Sequence, residues 1–353
     1  MAWAQWSKYP TENLKLNDRS LYDFEMAVLQ DGSFYIVYNG PANGHIPTSV
    51  LYYDKGGHPI WDKELLVADE PNMTWTQVNQ LKAVDRKGNL FLSVADCRHH
   101  TGPTTYTAYK VTPKGELPWG KDGISLNKDF NGLNHSMSIV ALADGSAVYG
   151  WYEKPDNAPG IIRMQRISAD GQKCWGEAGK VLSFEKEAIE TPVLVDAGNN
   201  EFLVLYAKGS SRSLYCDKFN FAGTSVWGED VLVADGSAFP SYPIHTLIST
   251  LPVDGGMLVA WVDVRHGDYN KTVCAAYIDK GGKHGFLPQE TGVELGQAAS
   301  STGQLVYDPE ANTFLVAWLS EGKIMGQLLS TQGEFLWDPY GKELVRAEGE
   351  VQV

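Results

Sequence analysis

The sequence predicts an all-β fold, a six-bladed β-propeller with four antiparallel strands in each blade. The first observation is a stretch that recurs about every 55 residues, in which a glycine precedes an aromatic residue by four positions. A fixed period of this length with tryptophan landmarks is typical of propellers and solenoids. The copies are Gly57/Trp61, Gly115/Trp119, Gly171/Trp175, Gly223/Trp227, Gly282/Phe286 and Gly333/Trp337.

The second observation is a nearly continuous apolar run in most of the units. Such runs suit strands that are buried on both faces. In a propeller these are the middle strands, which lie between neighbouring blades. The runs are FYIVY from Phe34, LFLSVA from Leu90, FLVLY from Phe202, MLVAWV from Met257 and FLVAW from Phe314.

The third unit shows the expected order of elements. Asp-Gly pairs at 144–145 and 170–171 supply the positive φ of tight hairpin turns. Strands are therefore predicted at 137–142, 147–152, 161–167 and around 174–182, with a longer loop at 153–160.

The whole chain, 1–353, is predicted to be one propeller domain, because a closed repeat architecture uses the full length. Residues 1–16, around Trp6, are predicted to form an extra strand or a strand that closes the ring. The predicted blades span approximately 17–70, 71–128, 129–184, 185–236, 237–296 and 297–353.

Composition excludes several classes of function. The net charge of -14 argues against a general binder of nucleic acid. No apolar stretch reaches the length of a membrane helix, and the first residues do not look like a signal peptide. The four cysteines form no CxxC pair. We therefore expect no metal or cofactor, and we expect a monomer. The protein is either cytoplasmic or exported with its export signal not part of this sequence, and the resemblance given below favours a location outside the cell, on its surface or in the periplasm.

The loops that follow the second strands differ in every unit, whereas the other turns are short and rich in Asp and Gly. Function on repeat scaffolds normally lies on the varied face. Two of these loops share an Asp-x-Arg-His motif. One interpretation is a site for an anionic or hydroxyl-rich ligand. The other is that each Asp pairs with its own Arg and braces the hairpin. The residues are Asp96, Arg98, His99, Asp263, Arg265 and His266.

A second group of candidate residues lies at the starts of the innermost strands, where they would point toward the channel mouth. Aromatic residues mixed with carboxylates and histidines suit a sugar platform or an acid/base pair. The alternative is a ring of solvated polar residues around a water-filled channel. The candidates are Tyr22, Asp23, Trp75, His135, Glu190, Tyr242 and His245.

The run VAWVDVRHGDYNKTVCAAYIDKGGKHGF at 259–286, with ISADGQKCWGEAGKVLS at 167–183, resembles the repeat of secreted bacterial β-propeller proteins. Units of that family read approximately aWxDxRxGxxDIYAQxIDxxGxxxWGxxGxxL, and the resemblance extends through all six units. It implies a propeller fold and an exported or surface location, without an assigned reaction. Four units lack the Asp-x-Arg part. Two other propeller families are less similar to this chain. Sialidases have Asp-boxes with two residues between Gly and Trp, where this chain has three. Quinoproteins share the Gly-x-x-x-Trp spacing but normally use more blades.

These observations predict a non-catalytic exported module that binds a carbohydrate or a protein partner through its loop-rich face. One alternative is a glycan-cleaving hydrolase that uses two carboxylates at the channel mouth, such as Asp23 and Glu190. Those carboxyl groups would then lie about 5 to 10 Å apart. Another alternative is a structural module of an exported assembly, which would present a large apolar patch.

Overall fold

The computed structural model describes most of the chain, and every described strand belongs to one of six four-stranded antiparallel sheets. Each sheet pairs its strands in chain order, so that each repeat unit of the sequence forms one sheet. The predicted fold class, an all-β six-bladed propeller with four strands in each blade, is confirmed. The described residues are 22–40, 47–69, 82–98, 104–130, 132–184, 187–236, 246–267, 271–287, 291–297, 301–339 and 341–346.

Two compact units contain three blades each. The first unit is Met1–Ala158 with Ile162–Leu182, and the second is Pro159–Ile161 with Ser183–Val353. That the whole chain forms one domain stays a prediction, and residues 1–16 lie outside the described residues.

The first unit holds blades 1 to 3. Blade 1 has β1 (Tyr22–Val28), β2 (Phe34–Asn39), β3 (Thr48–Tyr53) and β4 (Leu65–Ala68). Blade 2 has β5 (Lys82–Val84), β6 (Leu90–Asp96), β7 (Thr105–Val111) and β8 (Ile124–Ser125). Blade 3 has β9 (Leu133–Ala141), β10 (Ala147–Lys154), β11 (Ile161–Ile167) and β12 (Lys180–Leu182).

The second unit holds blades 4 to 6. Blade 4 has β13 (Ile189–Gly198), β14 (Glu201–Lys208), β15 (Ser213–Asn220) and β16 (Val231–Ala234). Blade 5 has β17 (Thr246–Val253), β18 (Gly256–Asp263), β19 (Thr272–Ile278) and β20 (Val293–Gln297). Blade 6 has β21 (Ser301–Asp308), β22 (Thr313–Ser320), β23 (Lys323–Ser330) and β24 (Lys342–Arg346).

The apolar runs form the second strand of each blade, as predicted. Every residue of β2, β6 and β18 is buried, because these strands pair on both edges and pack on both faces. The fourth strand of blade 3 is shorter than predicted, Lys180–Leu182 instead of 174–182. Gly176 and Gly179 both have positive φ, which interrupts the extended backbone before β12.

The repeated glycine and tryptophan meet between neighbouring blades within each unit. The indole Nε1 of Trp119 in blade 2 donates a hydrogen bond to the carbonyl of Ala169 in blade 3, at 3.3 Å. A Cβ on Gly171 would lie 2.9 Å from the Trp119 ring, so only glycine fits this turn without a shift. Trp61 and Trp227 donate in the same way to the carbonyls two residues before Gly115 and Gly282. We call this contact the staple.

Each blade therefore has two distinct ends. The turn end carries the short turns after the first and third strands and the staples. The loop end carries the loop after the second strand and the crossover to the next blade. No helix in the described part of the chain has the length and apolar character that a membrane span requires.

Candidate functional site

The Asp-x-Arg motifs form closed ion pairs at the loop ends of blades 2 and 5. In blade 2, Nε and Nη2 of Arg98 donate to the Asp96 carboxylate at 2.9 and 2.6 Å. In blade 5, Arg265 donates to Asp263 at the same two distances. Both pairs are bidentate, which is the strongest geometry for guanidinium and carboxylate.

Each of these guanidinium groups also holds the segment that precedes the fourth strand of its own blade. Arg98 Nη1 donates to the carbonyl of Asp122 at 3.2 Å, and Arg265 Nη2 donates to the carbonyl of Thr291 at 2.8 Å. The acid ends the second strand and the arginine reaches across to the fourth. We call this arrangement the latch.

Blade 3 builds the same latch from different residues. Glu153 accepts hydrogen bonds from the Trp151 indole at 2.8 Å and from Arg163 Nε at 2.6 Å. Arg163 Nη1 then donates to the carbonyl of Ala178 at 2.7 Å. Sequence reasoning missed this latch because the arginine lies ten positions beyond the acid, on the next strand.

A glycine follows the latched carbonyl in all three blades. A Cβ on Gly179 would lie 2.3 Å from the carbonyl oxygen of Met164, and Gly123 and Gly292 are similarly crowded. All three have φ between 64 and 68°. In blades 2 and 3 this is the second glycine of the sequence Trp-Gly-x-x-Gly. The close approach of the segment that the latch holds thus explains this glycine, and the same approach explains Gly292 in blade 5.

The acids and arginines of the two Asp-x-Arg latches are almost fully covered, whereas Arg163 of the blade 3 latch is 23% exposed. The side chains of Arg98 and Asp96 are 9% and 0% exposed, as are those of Arg265 and Asp263. Burial lowers the pKa of the Arg98 guanidinium, but its interactions with Asp96 and Tyr109 together more than offset this, so that the net pKa is raised. A closed, covered ion pair is the arrangement expected if each Asp braces its own hairpin through its own Arg. A role for Asp96, Arg98, Asp263 and Arg265 as ligand contacts stays a prediction.

The histidines of the two motifs differ in what the structure describes. His266 is exposed, and Glu294 Oε1 lies 2.9 Å from its Nε2. His99 lies outside the described residues, as do Trp75, Tyr242 and His245.

Several channel-mouth candidates share one register position. In five blades the first strand carries a β-bulge directly opposite an aromatic residue of the second strand. On the first strand, the residue just before the bulge pairs with the second-strand residue that comes directly after the aromatic residue. In blade 3, for example, His135 pairs with Tyr152, and the bulge lies opposite Trp151. Bulges re-aim side chains and are over-represented next to active sites. This position is held by Tyr22, His135, Glu190, Thr246 and Ser301.

His135 in the first unit stacks on Tyr152, with ring centroids 4.3 Å apart. Its Nδ1 lies 2.7 Å from the hydroxyl of Ser136, whose φ is 54°. Tyr22 and Asp23 begin β1, and only the backbone of these two residues is described. The predicted distance between Asp23 and Glu190 therefore stays untested.

Glu190 in the second unit forms an open ion pair with Arg212. Arg212 Nε lies 3.3 Å from Glu190 Oε1, and Nη2 donates to Oε2 at 3.4 Å. The two side chains are 35% and 33% exposed, and Arg212 Nε has no hydrogen-bond partner among the described residues. We call Glu190 and Arg212 the rim pair. Sequence reasoning found the glutamate and missed the arginine.

Backbone strain accompanies the rim pair. Thr191 has φ 56° and Arg212 has φ 51°. The left-handed region is a genuine outlier for a β-branched residue such as threonine, and strain of this kind costs about 1–3 kcal/mol for each residue. Because such outliers cluster at functional sites, the rim pair is the strongest candidate site in the second unit.

The described residues include no group of three His, Cys, Asp or Glu side chains that could hold a metal ion. No protein-family model matches the chain. No curated protein matches it at a significant level.

Solved structures with a similar fold include three from different organisms. A protein of unknown function from Dyadobacter fermentans is 10% identical, with 84% of this chain and 90% of that chain covered and a TM-score of 0.49. An α-L-arabinanase of Penicillium chrysogenum is 13% identical, with 89% and 95% covered and a TM-score of 0.48. An α-L-arabinofuranosidase of Fusarium graminearum is 13% identical, with 88% and 93% covered and a TM-score of 0.45. These likenesses transfer no substrate or activity to this chain.

Proposed function

We propose that the protein binds a carbohydrate at the rim pair, through the loop end of blade 4. The observation that carries this proposal is the ion pair of Glu190 with Arg212, which is partly exposed and loosely hydrogen-bonded. The backbone at Thr191 and at Arg212 itself is strained. The two Asp-x-Arg latch pairs are closed and covered, whereas about a third of each side chain of the rim pair is exposed to a ligand.

The chemistry of the rim pair suits sugar hydroxyls. A carboxylate has about four acceptor positions, and a guanidinium has five donors. Glu190 and Arg212 at 3.3–3.4 Å use few of these. Vicinal hydroxyl groups, which both donate and accept, can bridge the two side chains without displacing either charge. Hydrogen bonds to charged groups contribute about 1.5–3 kcal/mol each.

The proposal includes an exported or surface location and a monomeric state. The location rests on the resemblance of the repeat to secreted bacterial propeller proteins, and the monomeric state is a separate expectation from the sequence.

The test is a calorimetric titration of the protein with a panel of oligosaccharides, including arabino-oligosaccharides. Glu190→Gln keeps the shape of the side chain and removes its charge, so we expect at least a tenfold loss of affinity. Glu187→Gln is the matched control, because this exposed glutamate lies three residues away. Equal affinity of E190Q and wild type, or no binding to any glycan, would contradict the proposal.

Hydrolysis of the bound glycan is a second candidate function. It is favoured by the exposure of the Glu190 carboxyl at the rim, because glycosidases use a carboxyl group beside the bound sugar as acid, base or nucleophile. The measurement is the release of reducing ends. A hydrolase requires turnover by the wild type and a loss of at least a hundredfold in kcat for E190Q. If the wild type binds the glycan but releases no reducing ends, the protein is not a hydrolase of that glycan and the binding function stands alone.

A further inference from the structure

A cleft of about 360 Å³ lies at the loop end of blade 3, in the first unit. This volume falls within the range of small-molecule sites. Three segments form its walls: the crossover from β8 to β9, the latch of blade 3, and the segment before β12. The lining residues that matter are Asn127, Asp129, Phe130, Arg163, Lys173 and Glu177.

The charges of the cleft are balanced and mostly paired. Arg163 is bound to Glu153 at 2.6 Å, and Lys173 is bound to Glu177 at 2.7 Å. Lys173 lowers the pKa of the Glu177 carboxyl through a hydrogen bond, so that this pair stays ionised at neutral pH. A lining with paired charges disfavours a wholly apolar ligand and gives an anion no net attraction.

Two polar groups in the walls have no partner among the described residues. Asn127 is 8% exposed and its Oδ1 accepts from the Tyr106 N–H at 2.7 Å, but its Nδ2 donates to nothing described. An unsatisfied buried donor costs about 1–3 kcal/mol. The exposed Asp129 carboxylate likewise has no described ion-pair or hydrogen-bond partner.

An aromatic ring lies beside these two groups. Residues Asn127 to Phe130 form a turn, closed by a hydrogen bond from the Phe130 N–H to the Asn127 carbonyl at 2.9 Å. Asp129, which is exposed, and Phe130, which is half-buried, are neighbours in this turn and both line the cleft. Lining of this composition combines an apolar platform with a few polar groups that fix orientation.

We propose that this cleft is a second saccharide site, which takes one neutral sugar residue. The apolar face of the sugar packs on Phe130 and its hydroxyls donate to the exposed Asp129 carboxylate. The Asn127 side chain, whose Nδ2 is covered, supports the wall behind them by accepting from the Tyr106 N–H. The site lies on a different blade and in a different unit from the rim pair, so that it does not depend on the function proposed there.

The experiment is a calorimetric titration with neutral pentoses, hexoses and their disaccharides. Asp129→Asn and Phe130→Ala are each expected to lose at least tenfold in affinity at this site, the equivalent of about 1.4 kcal/mol. Asp156→Asn, an exposed aspartate in the loop of the same blade, is the matched control. Asp129 is exposed, so we expect D129N to fold like the wild type. If F130A folds poorly, D129N alone therefore still tests the proposal.

The rim variant separates the two sites. E190Q is expected to keep wild-type affinity in the cleft, and D129N to keep wild-type affinity at the rim. If D129N and folded F130A bind every sugar as the wild type does, or if no neutral sugar binds to the E190Q protein, the cleft is not a saccharide site.

Discussion

The two ends of a blade are built from different contacts, although both carry repeated residues. At the turn end, staples such as Trp119 on Gly171 join one blade to the next. At the loop end, latches such as Asp263 with Arg265 hold the strands of a single blade together. Repetition is therefore a sign of structure at both ends. The strongest candidate for function in the second unit is the rim pair, which breaks the repeat.

The contrast between latch and rim explains why one Arg–carboxylate pair suits a brace and the other suits a ligand. Arg265 and Asp263 are 9% and 0% exposed and bidentate. Arg212 and Glu190 are 35% and 33% exposed and loosely paired. Ligands compete poorly with a closed, desolvated pair, whereas a loosely paired and partly exposed arginine and carboxylate can accept them.

The largest expected effect comes from opening a latch. Arg265→Met leaves the Asp263 carboxylate buried without its cation, and removal of one partner of a buried ion pair costs about 3–5 kcal/mol. Urea unfolding measures this loss. Arg86→Met, at an exposed arginine of blade 2, should change stability by no more than about 0.5 kcal/mol. A loss for R265M as small as that of R86M would show that the latch does not stabilise the blade.

The second prediction compares three glycines of blade 3 that differ in their surroundings. Gly171, Gly176 and Gly179 have φ of 90, 71 and 68°. An added Cβ would meet Trp119 at 2.9 Å, nothing within 4 Å, and the Met164 carbonyl at 2.3 Å, respectively. Substitution by alanine at Gly176 should cost about 1 kcal/mol for positive φ alone.

Gly179→Ala should be the most destabilising of the three, because the backbone carbonyl it meets cannot move aside, and Gly171→Ala should be intermediate. Thermal or urea unfolding of the three variants gives the order. Equal losses of unfolding free energy at the three positions would mean that the positive φ alone explains why these glycines recur in the repeat, and that contacts in the staple and the latch do not.

The smallest expected effect concerns a buried carboxyl that belongs to no latch. Asp217 in blade 4 is 6% exposed; burial raises the pKa of its carboxyl, and hydrogen bonds from Ser225 and the Lys218 N–H only partly oppose this. A raised folded-state pKa means that stability is greatest below the ordinary value and falls as pH rises through the folded value.

We therefore expect Asp217→Asn to be as stable as the wild type at pH 7 or slightly more stable, with a flatter dependence of unfolding free energy on pH between about 3 and 7. Asp156→Asn serves again as the exposed control. A D217N variant that is much less stable than wild type at pH 7 would place Asp217 in a charge-dependent contact like the latches.

The sequence predicts the blades well because their signals are local. Gly171 and Trp175 stand in one short segment, and apolar runs such as that from Phe34 mark strands buried on both sides. The latch of blade 3 was missed because Glu153 and Arg163 lie on separate strands, and only the sheet register brings them together. Nothing in the sequence indicates that Arg212 adopts positive φ and turns to Glu190.

The cleft of blade 3 was also beyond prediction from sequence. Asp129 and Phe130 belong to a crossover without a recognisable motif, and Glu177 falls in the strand that the sequence predicts around 174–182. Their proximity depends on where the Arg163 latch holds the Ala178 segment. Sites of this kind are formed by tertiary packing and not by a spacing of residues.

The most direct test of the distinction between bracing and binding is a paired measurement on R265M and E190Q, in which glycan affinity is titrated below the unfolding midpoint of each variant and stability is measured in urea. We predict that R265M loses stability and keeps wild-type affinity at the rim, whereas E190Q keeps stability and loses at least tenfold in affinity at the rim. The reverse result, in which R265M loses affinity at unchanged stability, would make the Asp-x-Arg motif a ligand site and contradict the latch.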